Sequence, residues 1–303
     1  MIDLGRLRAL HAVASYGSVG SAADALGYTP SAVSQQLAKL ERETRTVLVE
    51  RRGRGIVLTD AAQQLAATAS KVLQLVEDAE VTLEEQRGQA IGSLRIAAFP
   101  TAVRGLLPAV LPGLIDDNPA LDVRVAETDP FEAVAAVARG EIHIAVVHDW
   151  HNTPLALPDE LSRVKLGSDP ADILVPASHR LAGKEFVRAD DLVGERWICQ
   201  PAGTICHDWL IRTMRKAGVE PDVAYSVAEY QTQLAMLARG IGIGLLPRLG
   251  RGPLPEGVVA VPLQPAPSRR LYAVWRTATA RRPAIAVTLA ALKAGWQYRD
   301  TAH

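Results

Sequence analysis

The sequence runs to 303 residues, which at roughly 150 residues per domain allows two domains, and its 48% hydrophobic and 22% charged content excludes a disordered or collagen-like chain. Two cysteines exclude a disulfide framework and a multi-cysteine zinc site, and the longest charge-free run, 15 residues from Ala9 to Ala23, is shorter than the ~18 apolar residues of a spanning helix. Net charge is zero but unevenly placed: residues 1–58 hold eight bases against five acids, residues 59–87 two against six, and the remainder 23 against 22. The start of the chain carries Asp3, Arg6 and Arg8 but lacks the charged n-region followed by an apolar run of a secretory leader, so the expectation is a cytoplasmic protein with no membrane partner.

The first elements are short and well punctuated. Leu4, Leu7, Leu10 and Val13 recur at helical spacing and stop at Tyr16-Gly17. Ser18 offers an N-cap for a second helix, Ser21–Leu26, closed by Gly27. Thr29 caps a third, with Pro30 at the first helical position, where its missing N–H costs nothing. That helix runs to about Glu43 with Ala32, Val33, Leu37 and Leu40 facing inward, so the pair has the length and turn of a helix-turn-helix. Leu48 to Leu58 is two short apolar runs around an Arg/Gly loop, a small β-wing. Thr59 then caps a long helix in which Ala62, Leu65, Ala69, Val72, Val76, Ala79 and Leu83 keep a 3.5-residue period for three heptads, the repeat of a dimer-forming helix. It ends in the linker-like stretch Gly88 to Gly92.

From Ser93 onward strands alternate with helices. Strands are expected at Leu94–Phe99, Val123–Glu127, Ile142–Val147, Ile173–Val175, Trp197–Cys199, Val223–Val227 and Ile243–Leu246, with helices at Val103–Asp116, Phe131–Arg139, Ile205–Ala217 and Tyr230–Arg239. The alternation implies an α/β body with mainly parallel strands. Pro-marked crossings near 165–170 and 264–268 divide it into one lobe, a second lobe, and a return to the first.

The chain resembles the LysR-type transcriptional regulators. The likeness rests on Leu7-Arg8-Ala9-Leu10, Gly17-Ser18-Val19, Ala22 to Leu26, Ser31 to Leu37 and Leu40-Glu41, then Leu48 to Arg51 and Leu58-Thr59. Downstream it includes Leu94-Arg95-Ile96, Val175-Pro176, His179 to Ala182 and Ala238 to Pro247, so it spans essentially the whole chain. Thr44-Arg45 stands where the family usually has Leu-Gly, Pro30 where a Gln commonly meets bases, and Val49 where a Phe is usual. The resemblance implies an α+β multidomain protein. Its parts are a winged helix-turn-helix over 1–58, a linker and dimerisation helix over 59–91, and a two-lobed effector domain over 92–303 similar to type II periplasmic binding proteins. Lobe I takes 92–166 and 267–303, and lobe II takes 167–266. The implied function is regulation of transcription in response to a small, carboxylate-bearing effector. The implied partners are double-stranded promoter DNA, RNA polymerase and further copies of the chain in a homodimer or homotetramer.

Recognition of bases needs donors and small side chains at the start of the third helix, the end that enters the major groove. Pro30, Ser31, Ser34 and Gln35 occupy it, and Gln can bond adenine through two atoms. Thr29, Lys39, Arg51, Arg52 and Arg54 are placed for phosphates, which fix register without reading sequence, and Ser18 is a further expected DNA-binding residue. In the body, Pro100-Thr101-Ala102 and Gln200 to Thr204 are loops that follow strands and precede helices, where free N–H groups favour an anion. The resemblance puts the effector between the lobes, on Pro100, Thr101, Ala102, Gln200, Gly203 and Thr204, with His148 and Gln231 completing the ring. Leu65, Val72, Val76 and Leu83 form the expected dimer seam.

No cofactor or metal is expected, because a strand sets His143 and His148 on opposite faces and His151 brings no second cluster. Cys199 and Cys206 flank the second loop. A peroxide-sensing branch of the family has a reactive Cys at a comparable loop, but the six-residue gap and the place of Cys199 inside a strand depart from that arrangement, and ordinary buried cysteine is the default. No Ser-His-Asp spacing, phosphate loop or carboxylate pair points to an enzyme. The competing class is a cytoplasmic small-molecule-binding or catalytic α/β protein with an N-terminal interaction module. It would have no use for Thr29-Pro30-Ser31 on a capped helix beside an Arg-rich wing.

Overall fold

Asp3 opens helix α1 (Leu4–Tyr16) by accepting the Arg6 N–H at 3.1 Å, and Gly17 closes it in the left-handed region. The computed structural model describes residues 2–52 and 55–301. The chain divides into two units, one ending at Leu83 and the other beginning at Glu84.

In the first unit Ser18 caps α2 (Val19–Leu26) through the Ser21 N–H at 3.0 Å, and Gly27 (φ 67°) turns the chain toward α3 (Pro30–Thr44). Thr29 caps α3 by accepting the Ala32 N–H at 3.2 Å. Val33, Leu37 and Leu40 pack with Leu10, Val13, Ala22, Ala23 and Leu48 in one core. Each fully buried Leu there contributes roughly 1.5–3 kcal/mol. The left-handed position after α3, where a glycine would be unstrained, is held by Arg45 (φ 52°). Arg45, one of the residues at which the sequence departs from the resemblance, thus makes the turn into the wing. The wing follows as β1 (Val49–Arg52) paired antiparallel with β2 (Gly55–Leu58). One Glu41 carboxylate oxygen accepts the N–H groups of Leu48 and Val49 at 2.8 and 3.1 Å, tying the wing to α3. Helix α4 (Asp60–Arg87) starts where the Thr59 hydroxyl accepts the Ala62 N–H at 3.2 Å and donates to Val47 O at 2.9 Å.

The second unit is built on β3 (Gly92–Ala98), β4 (Leu121–Glu127), β5 (Ile144–Trp150), β6 (Leu161–Pro176), β7 (Arg196–Cys199), β8 (Asp222–Ser226), β9 (Gly244–Pro247), β10 (Val258–Val261) and β11 (Ser268–Arg276). Seven strands form one sheet, in the order β10-β6-β11-β5-β3-β4 with β9 also on β6, while β7 and β8 form a separate parallel pair. β3 is parallel to β4 and β5, but β11 is antiparallel to β5 and β6, and β9 and β10 are antiparallel to β6. The expectation of mainly parallel strands is therefore corrected to a mixed sheet. Helical crossovers impose parallel pairing only where they join neighbours, and β11 returns between β5 and β6 from the far end of the chain.

Strand β6 is longer than the expected Ile173–Val175. Up to Pro170 it pairs with β11; beyond it, Ala171–Leu174 face β9 and Ile173–Pro176 face β10. Pro170 sits at this exchange of partners, where the ladder tolerates its missing N–H. The expected helix Val103–Asp116 is two, α5 (Pro100–Gly105) and α6 (Leu107–Asp117), broken at Leu106 just before Pro108. Thr101 and Ala102 consequently lie in a helical turn instead of a loop. The remaining helices are α7 (Pro130–Ala138), α8 (Ile205–Lys216), α9 (Tyr230–Leu237) and α10 (Pro283–Thr301). One apolar cluster runs unbroken from Val134, Val137 and Trp150 to Ile173, Trp197, Trp209 and Ile243. A second lies under α6 and α10 around Leu107, Leu114, Ile285 and Trp296, and a third under α9 around Leu234, Leu237 and Leu246. Among the described residues no helix is long and apolar enough to cross a membrane.

Candidate functional site

The face of α3 opposite its buried residues is wet. Thr29, Pro30, Ser31, Ser34, Gln35 and Lys39 are all exposed, at the 3–4 spacing that puts side chains on one side of a helix. Thr29 and Ser31 share a hydrogen bond at 3.0 Å, so the cap also fixes the Ser31 hydroxyl. Ser18 is exposed and occupied as the α2 cap, bonded to Ser21 Oγ at 2.8 Å. Of Arg51 and Arg52 only the backbone is described, and Arg54 lies outside the described residues.

In the second unit a cavity of about 20 Å³, room for one water, lies at the carboxyl ends of β7 and β9. Gln200 is the one residue expected at the effector site that lines it. Its other polar neighbours are Cys199, Cys206, Tyr230, Gln233 and the Trp150 indole, with Ile198, Leu210 and Leu245 as apolar walls. Tyr230 donates to Cys206 Sγ at 3.6 Å, Gln233 Nε2 to Val227 O at 2.6 Å and Gln200 Nε2 to Ala228 O at 3.1 Å. Trp150 Nε1 is buried without a well-formed hydrogen bond, although it comes close enough to Cys206 to favour the thiolate slightly. Burial dominates at both thiols. Together with the neighbouring Cys206 it pushes Cys199 up to about 12, and it raises Cys206 despite Arg269 and the Tyr230 hydrogen bond. Burial likewise raises Tyr230 well above the usual phenol range.

Beside the cavity stands a buried polar cluster that sequence reasoning found only in part. Thr101 is 1% exposed and its hydroxyl accepts from Arg269 Nη2 at 2.6 Å. The same guanidinium donates through Nε to Asp169 at 2.9 Å and lies 4.7 Å from the centre of the Phe99 ring. Asp169 also accepts the Leu249 N–H at 2.8 Å. His148 lies inside β5, two residues before the strand's end, edge-on to Phe99 with centroids 4.6 Å apart and 6.2 Å from Trp150. Its Nδ1 is buried without a partner, and burial, reinforced by Arg269, holds the ring neutral well below the ordinary histidine range. The other expected residues stand apart from the cavity wall. Pro100 is the first residue of α5 and Ala102 is fully buried. Gly203 turns left-handed (φ 88°) before Thr204, whose hydroxyl caps α8 and donates to Pro201 O at 2.8 Å. Gln231 is exposed, its Nε2 3.5 Å from Arg251 O. Asp169 and Arg269, and the cavity residues Tyr230 and Gln233, carried no local signal, since each is recognised only by partners distant in sequence.

A winged helix-turn-helix joined through one long helix to a cavity-bearing α/β body is the architecture of a DNA-binding regulator with a ligand domain. Comparison with known proteins agrees. Residues 4–63 match the family described as bacterial regulatory helix-turn-helix protein, lysR family, and residues 87–297 match the LysR substrate binding domain. The chain belongs to the LysR family of transcriptional regulators. It is 29% identical over 276 residues to the DNA-binding transcriptional dual regulator OxyR of Escherichia coli strain K12, covering 89% of this chain and 88% of that protein. It is 28% identical over 273 residues to the hydrogen peroxide-inducible genes activator of Pectobacterium carotovorum, covering 89% of each. Among solved structures, a full-length OxyR variant from Pseudomonas aeruginosa superposes with a TM-score of 0.70 at 21% identity over 97% of this chain and 95% of that one. Full-length BenM gives 0.59 at 22% identity over 98% of each.

Proposed function

We propose that the chain is a cytoplasmic, non-enzymatic regulator that binds promoter DNA as a homodimer or homotetramer and answers to a small effector held between two lobes. The proposed boundaries are 1–58 for the DNA-binding head, 59–91 for the linker helix and 92–303 for the effector domain. The observation that carries this reading is the α3 face, with Thr29, Ser31, Ser34, Gln35 and Lys39 in solvent opposite a fully buried Val33, Leu37 and Leu40. A helix held so firmly from behind, capped twice and tied to a wing through Glu41, presents a fixed donor pattern to a major groove. Exposure of Leu75 (68%) and Leu83 (54%) on α4 supports pairing of that helix with a second copy. The test is binding of the full chain to the DNA upstream of its own gene over a salt series. Affinity is expected to fall steeply with salt, and Arg51, Arg52 and Arg54 replaced together by Ala should weaken all duplexes and flatten that slope. Gln35→Ala should lose about 1–3 kcal/mol of discrimination at particular base pairs. A salt-independent interaction, or none, would sink the reading.

The effector reading rests on Thr101, which lies beside the cavity and does not line it. With one lone pair taken by Arg269, its hydroxyl keeps a proton for the oxygen of a carboxylate effector that reaches this cluster. One observation favours a second reading, a response to peroxide like that named for the relatives: Cys199 and Cys206 both line the cavity at the ends of β7 and β9. Burial opposes it, because the thiolate is the reactive form and both thiols are held protonated. Stoichiometric hydrogen peroxide followed by intact-mass measurement separates the two. Our reading expects unmodified cysteines, and rapid oxidation of either would favour the second.

A further inference from the structure

We propose that Arg42 and Arg45 carry the DNA contact of α3 past the major groove, onto phosphates of the strand that borders it. The inference rests on the start of α3 being the end that meets the bases. At about 3.6 residues per turn, Ser31, Gln35 and Arg42 fall in one exposed row directly opposite the buried Val33, Leu37 and Leu40. Lys39 flanks that row, and Arg45 ends it as the cap residue, also exposed. Among the described residues none of these three cations makes an ion pair. The two acids of α3 are engaged elsewhere, because Glu41 accepts the N–H groups of Leu48 and Val49, and Glu43 pairs with Arg6. Arg42 Nε donates to Ala38 O of its own helix at 3.2 Å, which leaves its two terminal nitrogens for an acceptor outside the chain.

Arg45 carries the argument further. It holds the left-handed position that closes α3 (φ 52°), where a Cβ is strained and a glycine is not. Its side chain is exposed and, among the described residues, makes no hydrogen bond or ion pair. A guanidinium held on a strained backbone, with no acceptor inside the fold, is satisfied from outside it. Length says what lies there. From Ser31 to Arg45 the helix advances about 21 Å at 1.5 Å per residue, whereas the major groove is about 12 Å wide. With the first turns at base edges, the last turn lies beyond the groove wall, level with the bordering phosphates. The recognition helix of a homeodomain likewise meets the backbone at its C-terminal end. Guanidinium forks match phosphate oxygens, so these two residues add affinity and fix register without reading sequence.

The experiment uses the full chain with Arg42→Gln and Arg45→Gly, singly and together. Binding is measured over a salt series on the DNA upstream of its own gene and on an unrelated duplex, with ethylation interference to read single phosphates. Each substitution is expected to lower the slope of log affinity against log salt by about one, on both duplexes alike. Phosphates flanking the groove that interfere in wild type should cease to do so in the double variant, while those at the groove contacts remain. Hydrogen exchange of the α3 amides should be as slow in Arg45→Gly as in wild type, or slower, because glycine relieves the left-handed position. Faster exchange together with weaker binding would make Arg45 a structural residue and overturn its assignment. A loss confined to the upstream DNA belongs to base reading and overturns the phosphate contact. A steep wild-type slope left unchanged in the double variant overturns this proposal alone, whereas a flat wild-type slope overturns the DNA-binding reading of α3 and this proposal with it.

Discussion

A threonine hydroxyl that has accepted a guanidinium has only its own proton left to give, and Thr101 is in that position against Arg269. Thr101→Val keeps the shape and removes both interactions. Because the site is buried, one donor of Arg269 is left unpaired, and the variant should lose about 1–3 kcal/mol of stability in the second unit. Its response to a carboxylate effector should fall at least tenfold, while DNA binding without effector is unchanged. Calorimetry of wild type and variant against a panel of organic and amino acids checks this. Equal affinity for the acid that binds wild type would reduce Thr101 to a structural partner of Arg269. Thr204 reads differently at the same scale, since its hydroxyl already caps α8 and donates to Pro201 O. Thr204→Val should cost about 1 kcal/mol of stability, the usual loss for a missing cap, whatever ligand is present.

The helices of the head are legible in the sequence because each start, and the ends of the first two, are marked by a residue with a physical task; the end of the third, at Arg45, is not. Asp3, Ser18 and Thr29 each accept an N–H of their helix, and Gly17 and Gly27 supply left-handed turns. Helix α4 is equally legible in extent but not in partner. Its heptad seam shows Ala62 and Ala69 buried, Leu65, Val72 and Val76 half-buried, and Leu83 exposed. The N-terminal part of the seam serves the head's own core, where Ala62, Leu65 and Ala66 pack. The C-terminal part, together with the exposed Leu75, is what a second α4 would cover. Changing Val72 and Val76 to Asp would set like charges against each other in an apolar seam, and sedimentation should show monomers. A dimer of undiminished strength would mean that other surfaces hold the copies together.

At the scale of the whole molecule, the strands of the second unit could be placed from their apolar runs, but their directions and partners could not. Arg269 faces Asp169 across 100 residues of sequence, and in a strand beginning Ser268-Arg269-Arg270 a buried cation looks like a solvated one. His148 was expected at a strand end because polar residues close apolar runs, yet β5 continues to Trp150 with His148 and Asp149 both buried. These buried rings make the body acid-labile. The Arg95 N–H donates to His143 Nδ1 at 3.0 Å, so that nitrogen must stay unprotonated, and burial, with Arg95 and Arg282 nearby, lowers His143 to about 3. Below the ordinary histidine value of 6.5 the unfolded chain takes up a proton that the folded ring refuses. Its contribution is thus complete above pH 6.5 and drains as pH falls toward 3, by up to about 2 kcal/mol at pH 5. His148 acts in the same direction. Asp172, lowered by the Arg248 and Arg251 hydrogen bonds that outweigh its burial, loses its contribution only below the usual aspartate range, while Asp129, raised by burial, works the opposite way. Comparing wild type with His143→Gln, which keeps an acceptor but does not titrate, isolates the one ring. All five tryptophans fall between Trp150 and Trp296, so their fluorescence during denaturant unfolding reports this unit alone. The midpoint should drop from pH 7 to pH 5 by less in His143→Gln than in wild type; an equal drop would mean that His143 carries its proton in the folded chain.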